Sequence, residues 1–207
     1  MQISETCRNS NTTFERIGHN LEEQGYVFVP QFLSESHVNQ LLTLFQKKLE
    51  NDAFHEARVG TSLEKTLEKR IRKSETAWIE DWSDIDFLSL FYAELMSKLN
   101  LNFFLSLKRW ESQFAFYPRG GFYRKHLDQL RGERHRQITS IFYLNDCIKG
   151  GELIIYDRED KGKVALTVSP RQGDLVIFQS SQIFHEVKEV YDHRFSLTTW
   201  FRDDSDF

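Results

Sequence analysis

The chain has 207 residues, a length that suits one domain with a sizeable core and a small helical annex rather than two enzymatic domains. Hydrophobic residues make up 40% of it and charged residues 28%, and 18 phenylalanines against 3 prolines and 10 glycines point to an aromatic-rich core rather than disorder. A formal net charge of −4 gives no electrostatic footprint for nucleic acid or an anionic membrane, so neither is expected as a partner.

Cys7 and Cys147 are the only cysteines, too few for a disulfide framework or a thiolate zinc site. The first residues carry no apolar targeting core, and no stretch approaches the roughly 18 apolar residues that span a bilayer. A reducing cytoplasm is the expected location.

Taken in chain order, the first clear element is a helix that Ser34 can cap, carrying Val38, Leu41, Leu42, Phe45 and Leu49 at helical spacing. Ser83-Asp84-Ile85-Asp86 then resembles a capping box ahead of Phe87, Leu88, Phe91, Leu95 and Leu99. Both helices are expected to pack on a sheet. Near residue 110 the period changes to short segments rich in β-branched and aromatic residues. Pro118-Arg119-Gly120-Gly121, Lys149-Gly150-Gly151 and Pro170-Arg171-Gln172-Gly173 punctuate them. The fold class expected is mainly β with an α annex: a jelly roll or double-stranded β-helix over about 110–202, flanked by helical support over about 11–100.

If Phe122 to Asp128 is extended, His126 and Asp128 project from one face, two side chains able to share a metal. A surface pair is the alternative reading of such a tripeptide. His185 lies on another short apolar segment, Ile183-Phe184-His185-Glu186-Val187. Two imidazoles and one carboxylate form the facial triad of non-haem Fe(II) oxygenases, which leaves coordination positions open for cosubstrate and O2. Nine residues further, Arg194 shares a strand face with Ser196, Thr198 and Trp200. An arginine turned into a barrel of Phe, Leu and Ile needs an anion. A dicarboxylate cosubstrate would supply it through a bidentate fork; an internal ion pair with Glu152 or Asp174 is the competing explanation.

These blocks resemble the Fe(II)/2-oxoglutarate oxygenases of the prolyl 4-hydroxylase type, particularly the intracellular oxygen-sensing prolyl hydroxylases and their bacterial relatives. The resemblance runs from Phe116-Tyr117-Pro118 through Tyr123 to Asp128, Thr139 to Asn145 and Gly150 to Leu153, to His185-Glu186-Val187 and Arg194. Ile71-Arg72 and Trp78-Ile79 give a weaker match, and together these cover roughly residues 20 to 202. The resemblance implies an iron centre on His126, Asp128 and His185, with Arg194, Tyr143, Tyr117 and Thr198 around 2-oxoglutarate. It also implies hydroxylation of a C–H bond with release of succinate and CO2, support from ascorbate, and a protein substrate presenting a proline. Residues from about Asn51 to Trp82 would form a lid. A small-molecule or free amino acid hydroxylase, or a non-catalytic metal-binding module, are the alternatives. One departure bears on substrate recognition: the branch's Arg-Gly-Asp is here Arg72-Lys73-Ser74, which removes the acidic partner expected for Arg136.

Overall fold

The computed structural model describes residues 10–57, 70–129 and 134–205. Helix α1 (Ser10–Gln24) leads into strand β1 (Tyr26–Val29) and helix α2 (Glu35–Glu50). The short strands β2 (His55–Glu56), β3 (Arg72–Lys73) and β4 (Glu75–Trp78) precede a 3-10 turn at Ser83–Ile85 and helix α3 (Asp86–Phe103). Eight strands follow: β5 (Arg109–Tyr117), β6 (Phe122–His126), β7 (Arg136–Tyr143), β8 (Leu153–Tyr156), β9 (Val164–Val168), β10 (Leu175–Gln179), β11 (His185–Val187) and β12 (Arg194–Arg202).

The strands form two antiparallel sheets, one of seven in the order β1-β10-β7-β12-β5-β4-β2 and one of five in the order β3-β6-β11-β8-β9. From β5 to β8 the chain alternates between the sheets, stays in the smaller sheet for β9, and alternates again to β12. That winding is the jelly roll expected of the second half.

Period-two alternation divides the apolar residues of the larger sheet between two cores. Phe114, Phe142, Leu175, Ile177, Leu197 and Phe201 join the helical residues Phe14, Ile17, Leu21, Val38, Leu41, Phe45, Leu88, Tyr92, Leu95 and Leu99. Their strand neighbours Ala115, Tyr117, Ile141, Tyr143, Val176 and Phe178 face the smaller sheet's Tyr123, Leu153, Ile155 and Val187. The helices therefore cover one face of the larger sheet and leave the inter-sheet space to the site.

Ser34 caps α2 as expected, its hydroxyl accepting from the His37 N–H at 3.3 Å. Leu49, expected on the buried stripe, is instead 47% exposed, because the buried face runs through Val38, Leu41, Leu44 and Phe45 and ends a turn earlier. The capping box at Ser83 does not form. Asp81 accepts the Ser83 N–H at 2.9 Å and a 3-10 turn follows, so α3 begins at Asp86 with Ile85 as an N-cap that makes no side-chain bond. The first half is not purely helical either, since it supplies β1 to β4, segments of two to four residues that carry too little sequence for a period to show. Cys7, the central part of the expected lid (58–69) and residues 130–133 after the metal motif lie outside the described residues.

Phe142 is fully buried where helices and sheet meet, with ring centroids 5.7 Å from Phe32, 6.0 Å from Phe91 and 6.3 Å from Tyr92. Phe142→Ala is expected to lower the unfolding free energy by about 3–5 kcal/mol, read from denaturant titration.

Candidate metal and dicarboxylate site

His126 ends β6 and His185 opens β11, and the two are direct partners in the antiparallel ladder of the smaller sheet, with ring centroids 4.2 Å apart. Asp128 follows His126 by two residues. Its Oδ1 lies 3.4 Å from His126 Nε2 and 3.6 Å from His185 Nε2, and all three residues are buried.

Each donor atom is prepared by the backbone or a neighbour. His126 Nδ1 donates to the Arg124 carbonyl at 2.7 Å and His185 Nδ1 to the Ile183 carbonyl at 3.2 Å. A carbonyl only accepts, so both rings carry their proton on Nδ1 and turn Nε2 inward. His126 Nε2 has no hydrogen-bond partner although it is buried. Asp128 Oδ2 accepts from Thr139 Oγ1 at 2.8 Å and from Trp200 Nε1 at 3.0 Å, which leaves Oδ1 for the imidazoles.

The electrostatics agree with ligation. Burial raises the Asp128 pKa, but the neighbouring His185 and His126 and the hydrogen bond from Trp200 outweigh it and hold the carboxyl well below its usual range. Burial, helped by His126 and opposed by Asp128, pushes His185 down to about 4. At neutral pH the site thus holds a carboxylate and an uncharged His185, the forms that bind a cation. Two inward imidazole nitrogens and one carboxylate oxygen, with an orphaned buried nitrogen among them, fit the Fe(II) facial triad.

A second His/Asp/Asp cluster, His135, Asp203 and Asp204, is a different kind of object. Asp203 binds His135 at 2.8 Å and Gln137 at 2.9 Å, and Asp204 is clasped by Arg202 and Arg109. Its oxygens are already committed.

Arg194, at the start of β12, is 1% exposed and one of the largest fully buried side chains. Its guanidinium lies 4.9 Å from the Tyr117 ring centroid and 5.0 Å from that of Tyr143, and Nη1 donates to Ser196 Oγ at 3.1 Å. It has no carboxylate partner among the described residues, so the pairing with Glu152 or Asp174 does not occur. Arg194 Nε and the Tyr143 hydroxyl are both buried without a hydrogen-bond partner. Burial raises the Tyr143 phenol pKa against the opposing pull of Arg194, keeping it a donor. Two convergent unsatisfied donors beside a guanidinium describe a carboxylate receptor. Thr198, half-buried, lies two residues beyond Ser196 along the same face of β12.

Gly151 explains how Arg194 comes to be enclosed. At φ +72°, a Cβ on this residue would stand 3.0 Å from Cys147 Sγ and 3.3 Å from Arg194 Cδ. Only glycine lets the backbone close over the arginine stem there.

Sequence reasoning placed the triad and the Arg194 group but gave no role to Thr139 and Trp200, which hold Asp128 Oδ2. Trp200 could have been found from its place on the face of Arg194, Ser196 and Thr198. Arg136, expected to lack an acidic partner, has one: its Nη2 is 2.7 Å from Glu111 Oε1 on β5.

Residues 112–202, which hold the triad, Thr139 and Trp200 and the Arg194 group, match the family model of the 2OG-Fe(II) oxygenase superfamily. The chain is an oxidoreductase of the 2-oxoglutarate-dependent dioxygenase class. It is similar to prolyl hydroxylase EGLN3 of Mus musculus, at 28% identity over 88% of this chain and 80% of that protein. It also matches the hypoxia-inducible factor prolyl hydroxylase of Caenorhabditis elegans at 35% identity, over 47% of this chain but only 14% of the worm protein's length. The crystal structure of a Pseudomonas putida prolyl-4-hydroxylase superposes with a TM-score of 0.80 at 28% identity, covering 93% of this chain and all of that one. Within that class the chain is similar to the prolyl 4-hydroxylase type.

Because partners of ligating groups tune affinity, Trp200→Phe and Thr139→Val are each expected to weaken divalent-metal binding about 10- to 100-fold, measured by calorimetric titration with Mn(II). Either variant binding as tightly as wild type would remove these residues from the centre.

Proposed function

We propose that the chain is an Fe(II)- and 2-oxoglutarate-dependent dioxygenase that hydroxylates a prolyl residue presented by a protein. The observation that carries the reading is the unsatisfied pair of Arg194 and Tyr143, on the same face of the larger sheet as the Thr139 and Trp200 that hold Asp128. A structural ion pair would have spared the cost of that buried cation. A metal-binding module alone would have no use for it.

His126, Asp128 and His185 would hold the iron, and Tyr143 and the fork of Arg194 would take the distal carboxylate of 2-oxoglutarate against the wall made by Tyr117, with Thr198 close by. Fixing both ends of the cosubstrate converts an encounter into a positioned reaction. When bound, Fe(II) with 2-oxoglutarate and O2 supplies the oxidising chemistry, and succinate and CO2 leave; ascorbate would keep the iron reduced. The walls of the inter-sheet space, from Ile141 and Phe178 to Val187, exclude water from that step.

The protein substrate is supported by the relatives, which are prolyl hydroxylases, one of them named for hypoxia-inducible factor. It is supported as well by Trp78, which leans on Trp200 at 6.0 Å between ring centroids, next to the indole that holds Asp128, yet leaves 45% of its surface exposed. A peptide can cover such a ring at low entropic cost.

The deciding experiment is conversion of 2-oxoglutarate to succinate with Fe(II), ascorbate and O2, with cytosolic protein extract added and His126→Ala alongside. Turnover that requires His126, rises with extract and adds one oxygen atom to a proline is expected; absence of both turnover and 2-oxoglutarate binding would end the enzyme reading. Arg194→Ala should cost about 3–5 kcal/mol in cosubstrate binding, which is roughly two to three and a half orders of magnitude in affinity. Wild-type affinity in that variant would show that the carboxylate sits elsewhere.

A further inference from the structure

The counter-ion of Arg136 comes from the barrel wall and not from the strand next to the expected lid. Glu111 lies on β5 directly opposite Trp200 of β12, and Trp200 lies opposite Thr139 of β7, so Glu111, Trp200 and Thr139 form one row across three adjacent strands. Two positions further along β12, a register skip between Phe201 and Arg202 brings Arg136, not Gln137, opposite Arg202. The skip turns the Arg136 side chain back over Trp200, with its guanidinium carbon 3.9 Å from the indole centroid. Glu111 Oε1 accepts from Arg136 Nε at 2.8 Å and lies 2.7 Å from its Nη2. Ser74, where the branch carries its acid, is instead buried and accepts from Arg72 Nε at 2.7 Å.

We propose that Glu111 is a positioning residue for the metal centre, acting through Arg136 and Trp200 on Asp128. A cation held over an indole face draws electron density from the ring and makes its N–H a better donor, and that N–H is one of the two holding Asp128 Oδ2. Glu111 keeps the cation in place. Arg202 also binds Glu111, at 2.9 Å, but it has a carboxylate of its own in Asp204, reached by two bonds of 2.9 and 2.8 Å. Among the described residues Arg136 has only Glu111. The arrangement takes the support of Asp128 from the barrel wall instead of from the 72–74 segment that the resemblance ties to substrate recognition.

The inference rests on the triad binding a divalent metal, so its test separates the two. Purified chain, Glu111→Gln and Arg136→Gln would be titrated with Mn(II) alone, following free Mn(II) by electron paramagnetic resonance, with His126→Ala as the non-binding reference. In parallel, the indole N–H resonance of Trp200 would be followed in 15N-tryptophan-labelled protein and assigned with Trp200→Phe. Both variants are expected to bind Mn(II) three- to tenfold more weakly and to move the Trp200 N–H upfield, and the double variant should be no weaker than the poorer single one. An unmoved indole resonance in both variants overturns the relay, whatever the metal affinity, because a loss confined to general stability would not report at that proton. Wild type and His126→Ala both failing to bind Mn(II) would count against the oxygenase reading, and the indole resonance would still decide the relay. Should Glu111→Gln unfold, Arg136→Gln carries the same two readouts, since Arg202 keeps Asp204.

Discussion

The site depends on how one buried carboxylate divides its two oxygens. Asp128 gives Oδ2 to Thr139 and Trp200 on the larger sheet and Oδ1 to the two histidines of the smaller one. Had either oxygen been free to rotate into the other's place, the imidazoles would face an ill-defined partner. Because one is doubly bonded, the other is aimed. The same bonds join the sheets across the barrel, so the metal centre is also a seam of the fold.

Around that seam the molecule separates its labours by strand parity. On β12, Phe195, Leu197 and Phe201 pack towards the helices, while Arg194, Ser196, Thr198 and Trp200 look into the barrel. The dicarboxylate receptor and the support for the iron ligand are thus six residues apart on one rigid strand. A shift of register by one would exchange the hydrophobic support for the chemistry, which ties the binding geometry to the packing of α1, α2 and α3.

Much of this was legible in the sequence because it rests on local rules. His126 and Asp128 are two apart on a strand, Arg194 is charged in an apolar setting, and Ser34 precedes a helical stripe; each is visible without knowing the fold. What was not legible depends on pairings between distant segments. Glu111 as the partner of Arg136 requires the β5-β12-β7 order and a bulge, neither of which leaves a local mark. The failed capping box at Ser83 turned on competition from Asp81 two residues earlier. His37 stacks on Phe87 at 4.1 Å between centroids, a contact made only when α2 meets α3.

The ends of the segment 58–69 are held by different sheets. On one side β2 pairs with β4 and the Ala57 N–H donates to the Ser74 carbonyl at 2.9 Å; on the other, β3 pairs with β6, one residue before β4 joins the larger sheet. Within residues 55–78 the chain is therefore tied to both sheets. Because β3 pairs with β6, the strand that ends in His126, and β4 pairs with β5, the strand whose Glu111 holds Arg136, a slip of register in residues 72–78 would be felt on both sides of the iron site.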